Sequence, residues 1–431
     1  MPYLEEKGES KMAKQIHKHF TNEQVKALLE KYLNKEIERK YLQEILNIGK
    51  SRFFELIRIY RNNPNSFSVD YKRSSDAKRI NPAIKNNILK ELAIDKKAIK
   101  NQDVPLYKYN YSYIKKRLEI TCGQSVGLST IIRYAKANNF YLPKRKKSKS
   151  HDREILTDYA GQLIQHDASY HLWAPDSKVK WCLITSLDDY SRFMVYAKLV
   201  EHESSWEHIQ ALQSVVLKYG APLAFYTDCH SIFRYIRGRD QRHMIFQKFT
   251  DDIDPQWKMV IKDCNIKPIY ALSPQAKGKI ERPYGWLQDH LIRTCIRENV
   301  KDIKHAQRIL NTERDRYNYK QVHSTTLEIP SLRFNSALKA KKSLFRPWSI
   351  PKPFLSIRDI FALHCKRTID NYHSVYIKPL RIKLAGVESR QPVDIRIYIL
   401  DTDLYEFRFW YHGRLIKVIR QEIKNFLPVH F

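Results

Sequence analysis

Between residues 163 and 271 the chain reads strand, strand, strand, helix, strand, helix, strand, with a further helix after it, and few folds accept that order. The strands are expected near residues 163–168, 180–187, 193–199, 223–227 and 267–271. Ser204 with Glu207 marks a capped helix start, and Gly220 followed by Pro222 marks its end. A further helix is expected over 256–264. Such an order predicts a mixed sheet with helices on both faces.

Three carboxylates sit at informative places in this pattern. Asp167 ends the stretch LIQHD, after the apolar pair Leu163-Ile164. Asp228 closes the run from Leu223 to Thr227. Glu281 lies in SPQAKGKIER, seven residues after Pro274, at an expected helix start. Two strand-end carboxylates and one helix carboxylate can converge on one point. A pair of divalent metals about 3.5–4 Å apart needs such an oxygen-rich cluster to clamp both the attacking and the leaving oxygen of a phosphodiester. Hard ions such as Mg²⁺ take carboxylates. The chain has 46 acidic residues, most carboxylates are solvated surface charges, and an Asp ending a strand is often a turn residue. Taken singly, none of the three is distinctive; the motifs around them are.

LDDYSRFMVYAKLV, from Leu187 to Val200, resembles the second and third strands of the retroviral-integrase-type catalytic core. YTDCHSIFR, from Tyr226 to Arg234, resembles the second-aspartate motif of transposases of the ISNCY insertion-sequence group. SPQAKGKIER resembles the glutamate helix of both, and YNYKQVHSTTLEIPSLRF, from Tyr317 to Phe334, resembles the segment that follows the core in bacterial transposases. The resemblance covers roughly residues 162–334, with three motifs in the right order. It implies a DDE transposase with a ribonuclease-H-like core and Asp167, Asp228 and Glu281 as the metal-binding catalytic triad. Integrases usually carry Gly two residues after the second Asp. Here that residue is His230, as in the ISNCY-like pattern. The 53-residue step from Asp228 to Glu281 exceeds the integrase spacing, so an insertion is expected at about 234–257.

The resemblance implies two Mg²⁺ (or Mn²⁺) ions, hydrolysis at the 3′ end of a mobile element, and attack of the freed 3′-hydroxyl on target DNA. Lys277, Lys279 and Arg282 flank Glu281 and are expected to hold phosphates. His166 and His230 neighbour the aspartates; each is either an orienting group for DNA or ligand carboxylates, or a satisfied structural histidine.

Charge agrees with a DNA partner. Lys and Arg number 77, for a net charge of +31, and neutralised phosphates release counterions. A lysine-rich genome contributes to such a count as well. The 27 Tyr, 18 Phe and 7 Trp suit stacking on unpaired bases, though more of them belong in cores. No run of eighteen apolar residues predicts a membrane span, and the N-terminal stretch lacks the apolar segment of a signal peptide. The six cysteines show no CxxC spacing, so reduced, buried thiols are expected, and with them a cytoplasmic, nucleoid-associated bacterial protein.

Residues 1–62 read as a helix-turn-helix unit. Thr21 with Gln24 makes a capping box. Ser51 is expected to cap a helix whose Phe54, Leu56, Ile57 and Tyr60 pack inward, with Ser51, Arg52 and Glu55 facing base edges. Residues 63–143 read as a second such unit, with a helix from Pro82 to about Leu92 and a recognition helix over 128–138 whose outward side includes Arg133. A basic linker follows over 144–157, led by Lys144, Arg145, Lys146 and Lys147; it is a solvated tether or one that also grips phosphates. The catalytic core is expected over 158–300, a helical connector over 301–345, and a small β-barrel over 346–431, where Arg367, Tyr372, His373 and Tyr376 either face DNA or lie on plain surface. The chain is expected to act as a homo-oligomer on transposon ends and target DNA. A silent, transposase-derived DNA-binding regulator and a structure-selective nuclease remain open beside this reading.

Overall fold

The computed structural model of the chain describes residues 16–70, 80–143, 157–234, 254–271, 278–424 and 426, with the side chains of 278–283 left aside. Most of the expected insertion, and all but the last residue of the basic linker, lie outside these residues.

The first helical unit contains α1 (Asn22–Leu33), α2 (Arg39–Leu46) and α3 (Lys50–Asn62). Thr21 caps α1 in the expected capping box with Gln24. Asn47 ends α2 in the left-handed region, at φ 51°, which turns the chain sharply into α3. Two local expectations fail here. Ser51 lies inside α3, whose N-cap is Gly49, so it caps nothing. Phe53 rather than Phe54 is the inward ring: Phe53 meets Tyr32 edge-on at 4.9 Å, while Phe54 is 47% exposed. The second unit contains α4 (Pro82–Lys100), α5 (Tyr111–Cys122) and α6 (Leu128–Ala137) around Ile88, Leu92, Ile114, Leu118 and Ile131. Helix α4 runs eight residues past the expected end at Leu92, because Ala98 carries its buried stripe onward.

The α/β core has β1 (Ile164–His171), β2 (Trp181–Asp188), β3 (Met194–Val200), α7 (Ser205–Tyr219), β4 (Ala224–Thr227), α8 (Gln256–Asp263), β5 (Lys267–Tyr270), α9 (Gly278–Arg297) and α10 (Ile303–Tyr319). The five strands lie in the order β3-β2-β1-β4-β5. β1, β2 and β3 are antiparallel, while β4 runs parallel to β1 and β5 parallel to β4. This is the expected mixed sheet. Helices α7 and α8 bury Ile209, Leu212, Trp257 and Val260 against Ile164 and Phe225 on one face. Helices α9 and α10 bury Leu287, Leu291 and Leu310 against Leu183, Leu187 and Leu199 on the other. The edge strand β3 is covered by side chains of α10: Asn318 exchanges two hydrogen bonds with the Met194 backbone at 2.9 and 3.0 Å.

After α11 (Pro330–Lys339) and the short α12 (Ile357–Ile360) come β6 (Leu363–Thr368), β7 (Ser374–Ile377), β8 (Leu380–Lys383), β9 (Pro392–Ile399), β10 (Leu404–Tyr411) and β11 (Arg414–Glu422). The expected period-two strands are present, but they do not close into a barrel among the described residues. Four form an open antiparallel sheet, β11-β10-β9-β6, and β7 pairs only with β8. Tyr372 and Tyr376 stand out from this ribbon, 74% and 58% exposed. The sheet docks on α8, where Gln256 bonds both the N–H and the C=O of His364 at 2.6 and 2.8 Å.

Buried charges fix the helical units to the core. Arg293 and Arg297 of α9 both reach Asp95 of α4, at 2.6 and 2.9 Å, and Lys116 of α5 pairs with Glu313 of α10. Glu328 accepts from Lys31 at 3.1 Å, Tyr41 at 2.6 Å and Arg333 at 2.6 Å, joining the first unit to the stretch after α10.

Candidate catalytic site

Parallel pairing of β1 with β4 matches Ile164 to Phe225 and Gln165 to Tyr226. Two residues farther along each strand, the same register sets Asp167 beside Asp228, just past the end of β4. Neighbouring strands lie about 4.8 Å apart, and residues two apart share a face, so the two aspartates are adjacent on one face of the sheet. Both are partly exposed. The backbone N–H of His230 donates to Asp228 Oδ1 at 3.0 Å, and the amides of Phe233 and Arg234 bond back to the His230 carbonyl, which turns the chain directly after Asp228.

Helix α9 crosses this face. Its buried Tyr284 donates its hydroxyl to the backbone carbonyl of Asp167 at 2.7 Å and accepts from Thr185 Oγ1 at 2.9 Å. Thr185 is the residue of β2 paired with Asp167. Burial, then the nearby Asp167 charge, push the Tyr284 phenol far above its ordinary range, so it stays a donor. Position 281 lies three residues, about one helical turn, before Tyr284 in the same helix. The side chains of Glu281, Lys279 and Arg282 lie outside the described residues, as do Lys277 and the linker residues Lys144, Arg145, Lys146 and Lys147. Among the described residues no group of three His, Cys, Asp or Glu side chains can hold a metal ion.

His166 takes the opposite side. Strand alternation turns it away from Asp167, and its ring is 1% exposed between Phe225, Phe233 and Trp257. Its Nδ1 bonds Ser186 Oγ at 2.8 Å, its Nε2 bonds His208 Nδ1 at 2.7 Å, and His208 Nε2 bonds Glu203 Oε1 at 2.9 Å. The Glu203 carboxylate only accepts, so His208 Nε2 is the donor to it. Of the two readings of His166, an orienting group or a satisfied structural histidine, the buried ring and its bonds fit the second. His230 is exposed beside Asp228.

In the helical units Ser51, Arg52 and Arg133 are all exposed. Arg52 pairs with Glu55 at 2.7 Å, and the Arg133 guanidinium lies 5.5 Å from the Tyr134 ring centre. Sequence reasoning missed Tyr284 and Thr185, because nothing in KIERPYGW distinguishes a tethering tyrosine from a packing one. It also left the second half of LDD unassigned. Asp188 is buried at the β2–β3 turn, where it accepts from the Gly161 and Ser191 amides at 2.8 and 2.9 Å. Burial raises its carboxyl to about 6 against those bonds. Asp189 holds Arg192 at 2.7 Å. Both are structural.

No family model matches the chain. It is 29% identical over 196 residues to the putative transposase y4bF of Sinorhizobium fredii, covering 46% of this chain and 41% of that protein. It is 26% identical over 181 residues to the transposase for insertion sequence IS1202 of Streptococcus pneumoniae, covering 42% and 37%. The chain therefore spans about two fifths of the length of these relatives. Two solved structures are loosely similar. The intasome of simian T-cell lymphotropic virus in complex with PP2A regulatory subunit B56 gamma has a TM-score of 0.33 and 14% identity, over 68% of this chain and 91% of that one. The HTLV-2 integrase catalytic core in complex with magnesium has a TM-score of 0.28 and 20% identity, over 40% and 97%. By sequence the chain is thus similar, over part of its length, to two bacterial proteins named as transposases.

Proposed function

We propose that the chain is a DDE transposase with a ribonuclease-H-like core, which cuts DNA at the ends of a mobile element and joins the freed 3′ end to target DNA. The observation that carries this reading is the β1–β4 register, which makes Asp167 and Asp228 neighbours on the face crossed by α9. Glu281 is the third member on that helix. An all-carboxylate donor set fits hard divalent ions, so Asp167, Asp228 and Glu281 would hold two Mg²⁺ or Mn²⁺. When bound, such ions activate the attacking hydroxyl and stabilise the leaving oxygen of an in-line displacement. The chain's own residues do the rest. Lys277, Lys279 and Arg282 hold phosphates beside the carboxylates, and His230 lies in the open turn next to them. Arg52 and Arg133 of the two helical units grip the element's ends, and the enzyme works as an oligomer that brings two ends together.

The test is a plasmid or oligonucleotide cleavage and strand-joining assay in Mg²⁺ or Mn²⁺. Asp167→Asn, Asp228→Asn and Glu281→Gln should each abolish both steps while end binding stays within about twofold. Near wild-type joining by any one of them would remove that residue from the triad.

A further inference from the structure

We infer that Tyr284 is a positioning residue, which sets the placement of the glutamate helix on the aspartate strand. The inference rests on the carboxylate reading above. Its own basis is a short polar tether. The hydroxyl of Tyr284 is buried between β1 and β2, donating at 2.7 Å to the carbonyl of Asp167 and accepting at 2.9 Å from Thr185. A phenol on α9 thus bonds the backbone of the residue that carries the first carboxylate, one helical turn from the position that carries the third. Apolar packing alone would leave α9 free to slide by fractions of an ångström, because Leu287, Leu291 and Cys295 offer no directional contact to β1. A hydrogen bond has a required direction, so it fixes that coordinate. Thr185 completes the device: as the β2 partner of Asp167, it aims its hydroxyl at the phenol and leaves the phenolic proton for the Asp167 carbonyl at 2.7 Å, with the Leu183 carbonyl of β2 farther off at 3.3 Å.

Tyr284 touches no reacting atom in this scheme. It acts through the spacing of Glu281 from Asp167 and Asp228. Misplacement of a catalytic group by about 1 Å can cost on the order of 100-fold in rate, and a lost tether displaces α9 by less.

The experiment uses the full chain. Tyr284→Phe keeps the ring and removes the hydroxyl. Its cleavage rate constant at saturating DNA should fall about 10-fold or more, with the Kd for end DNA unchanged. Mn²⁺ binding to the chain alone, followed by calorimetry, should weaken severalfold. Thr185→Val should move both readouts the same way, and Thr185→Ser, which keeps the hydroxyl, should restore them. Leu287→Ala is the control for loosened packing on the same helix: it should lower the unfolding midpoint without changing the Mn²⁺ affinity. Two results overturn the inference. One is a Tyr284→Phe chain within twofold of wild type in rate and Mn²⁺ affinity. The other is one that only unfolds earlier, as the Leu287→Ala chain does. If Asp167→Asn is dead while Tyr284→Phe is fully active, the triad stands and the tether falls. If Asp167→Asn is itself active, the carboxylate reading falls with it.

Discussion

The buried pair between Lys116 on α5 and Glu313 on α10 allows a worked prediction. Their side chains are 7% and 3% exposed, and they join the second helical unit to the core. His290 Nδ1 lies 3.4 Å from the second carboxylate oxygen. Removing one partner leaves a charge with little water, which costs about 3–5 kcal/mol; replacing both with apolar groups is often close to neutral. Lys116→Met and Glu313→Leu should therefore each destabilise by about 3 kcal/mol or more, and the double variant by far less. The coupling should stand well above the ~1 kcal/mol of an exposed pair.

Acidity gives a second estimate. Burial alone would raise the Glu313 carboxyl, but the His290 ring beside it and the Lys116 charge outweigh it and hold it at about 2, from an ordinary 4.5. A depressed carboxyl contributes stability above its unfolded value that is lost as pH falls through the folded one. The window is thus about pH 4.5 down to 2, and the shift corresponds to roughly 3 kcal/mol. The partner disagrees in sense: burial first, against the attraction of Glu313, brings Lys116 down to about 8. Glu313 governs the acid window, because Lys116 stays fully protonated throughout it. The pair sits at one junction, so the assay is hydrogen exchange at the amides of α5 and α10 in graded urea, repeated along the pH window. Singles and double that all fall within about 1 kcal/mol of wild type would refute the reasoning.

Two further outcomes follow from particular positions. Gly220 has φ +95°, and an added Cβ would lie 2.5 Å from the Arg346 carbonyl oxygen, so Gly220→Ala should cost about 1–3 kcal/mol; an unchanged unfolding midpoint counts against it. Arg52→Ala and Arg133→Ala should weaken end-DNA binding and each flatten its salt dependence by about one ion, with the midpoint unmoved; an unaltered salt slope would take that side chain off the phosphates.

The sheet was legible because each strand is a separate apolar run and the turns between them carry their own signals, as Ser204 and Gly220 do for α7. The aspartates were legible from their motifs, but the side of the sheet was not. That depends on the strand's placement in the sheet, which sets His166, next to Asp167 in the chain, on the opposite face. Phe53 and Phe54 are adjacent and equally apolar, and Phe53 is the one that joins Tyr32 and the buried cluster of the first unit. Period two finds strands in the C-terminal region without saying whether β6 and β11 meet; among the described residues they do not. The ion pairs between Arg293 and Asp95, and between Lys116 and Glu313, join residues 198 and 197 positions apart, so no local pattern marks them.

Strand β1 has a consequence for how such a chain would decay. Ile164 and His166 answer to Phe225, Ser186 and His208, and a change there must be matched by a change in the core. Asp167, on the opposite face, is the residue of this strand that the proposed reaction needs. Descendants released from selection for cutting DNA, yet still required to fold, would lose the second set and keep the first. Their β1 would keep Ile164, Gln165 and His166 and lose Asp167, and an alignment of that single strand would tell working copies from silent ones.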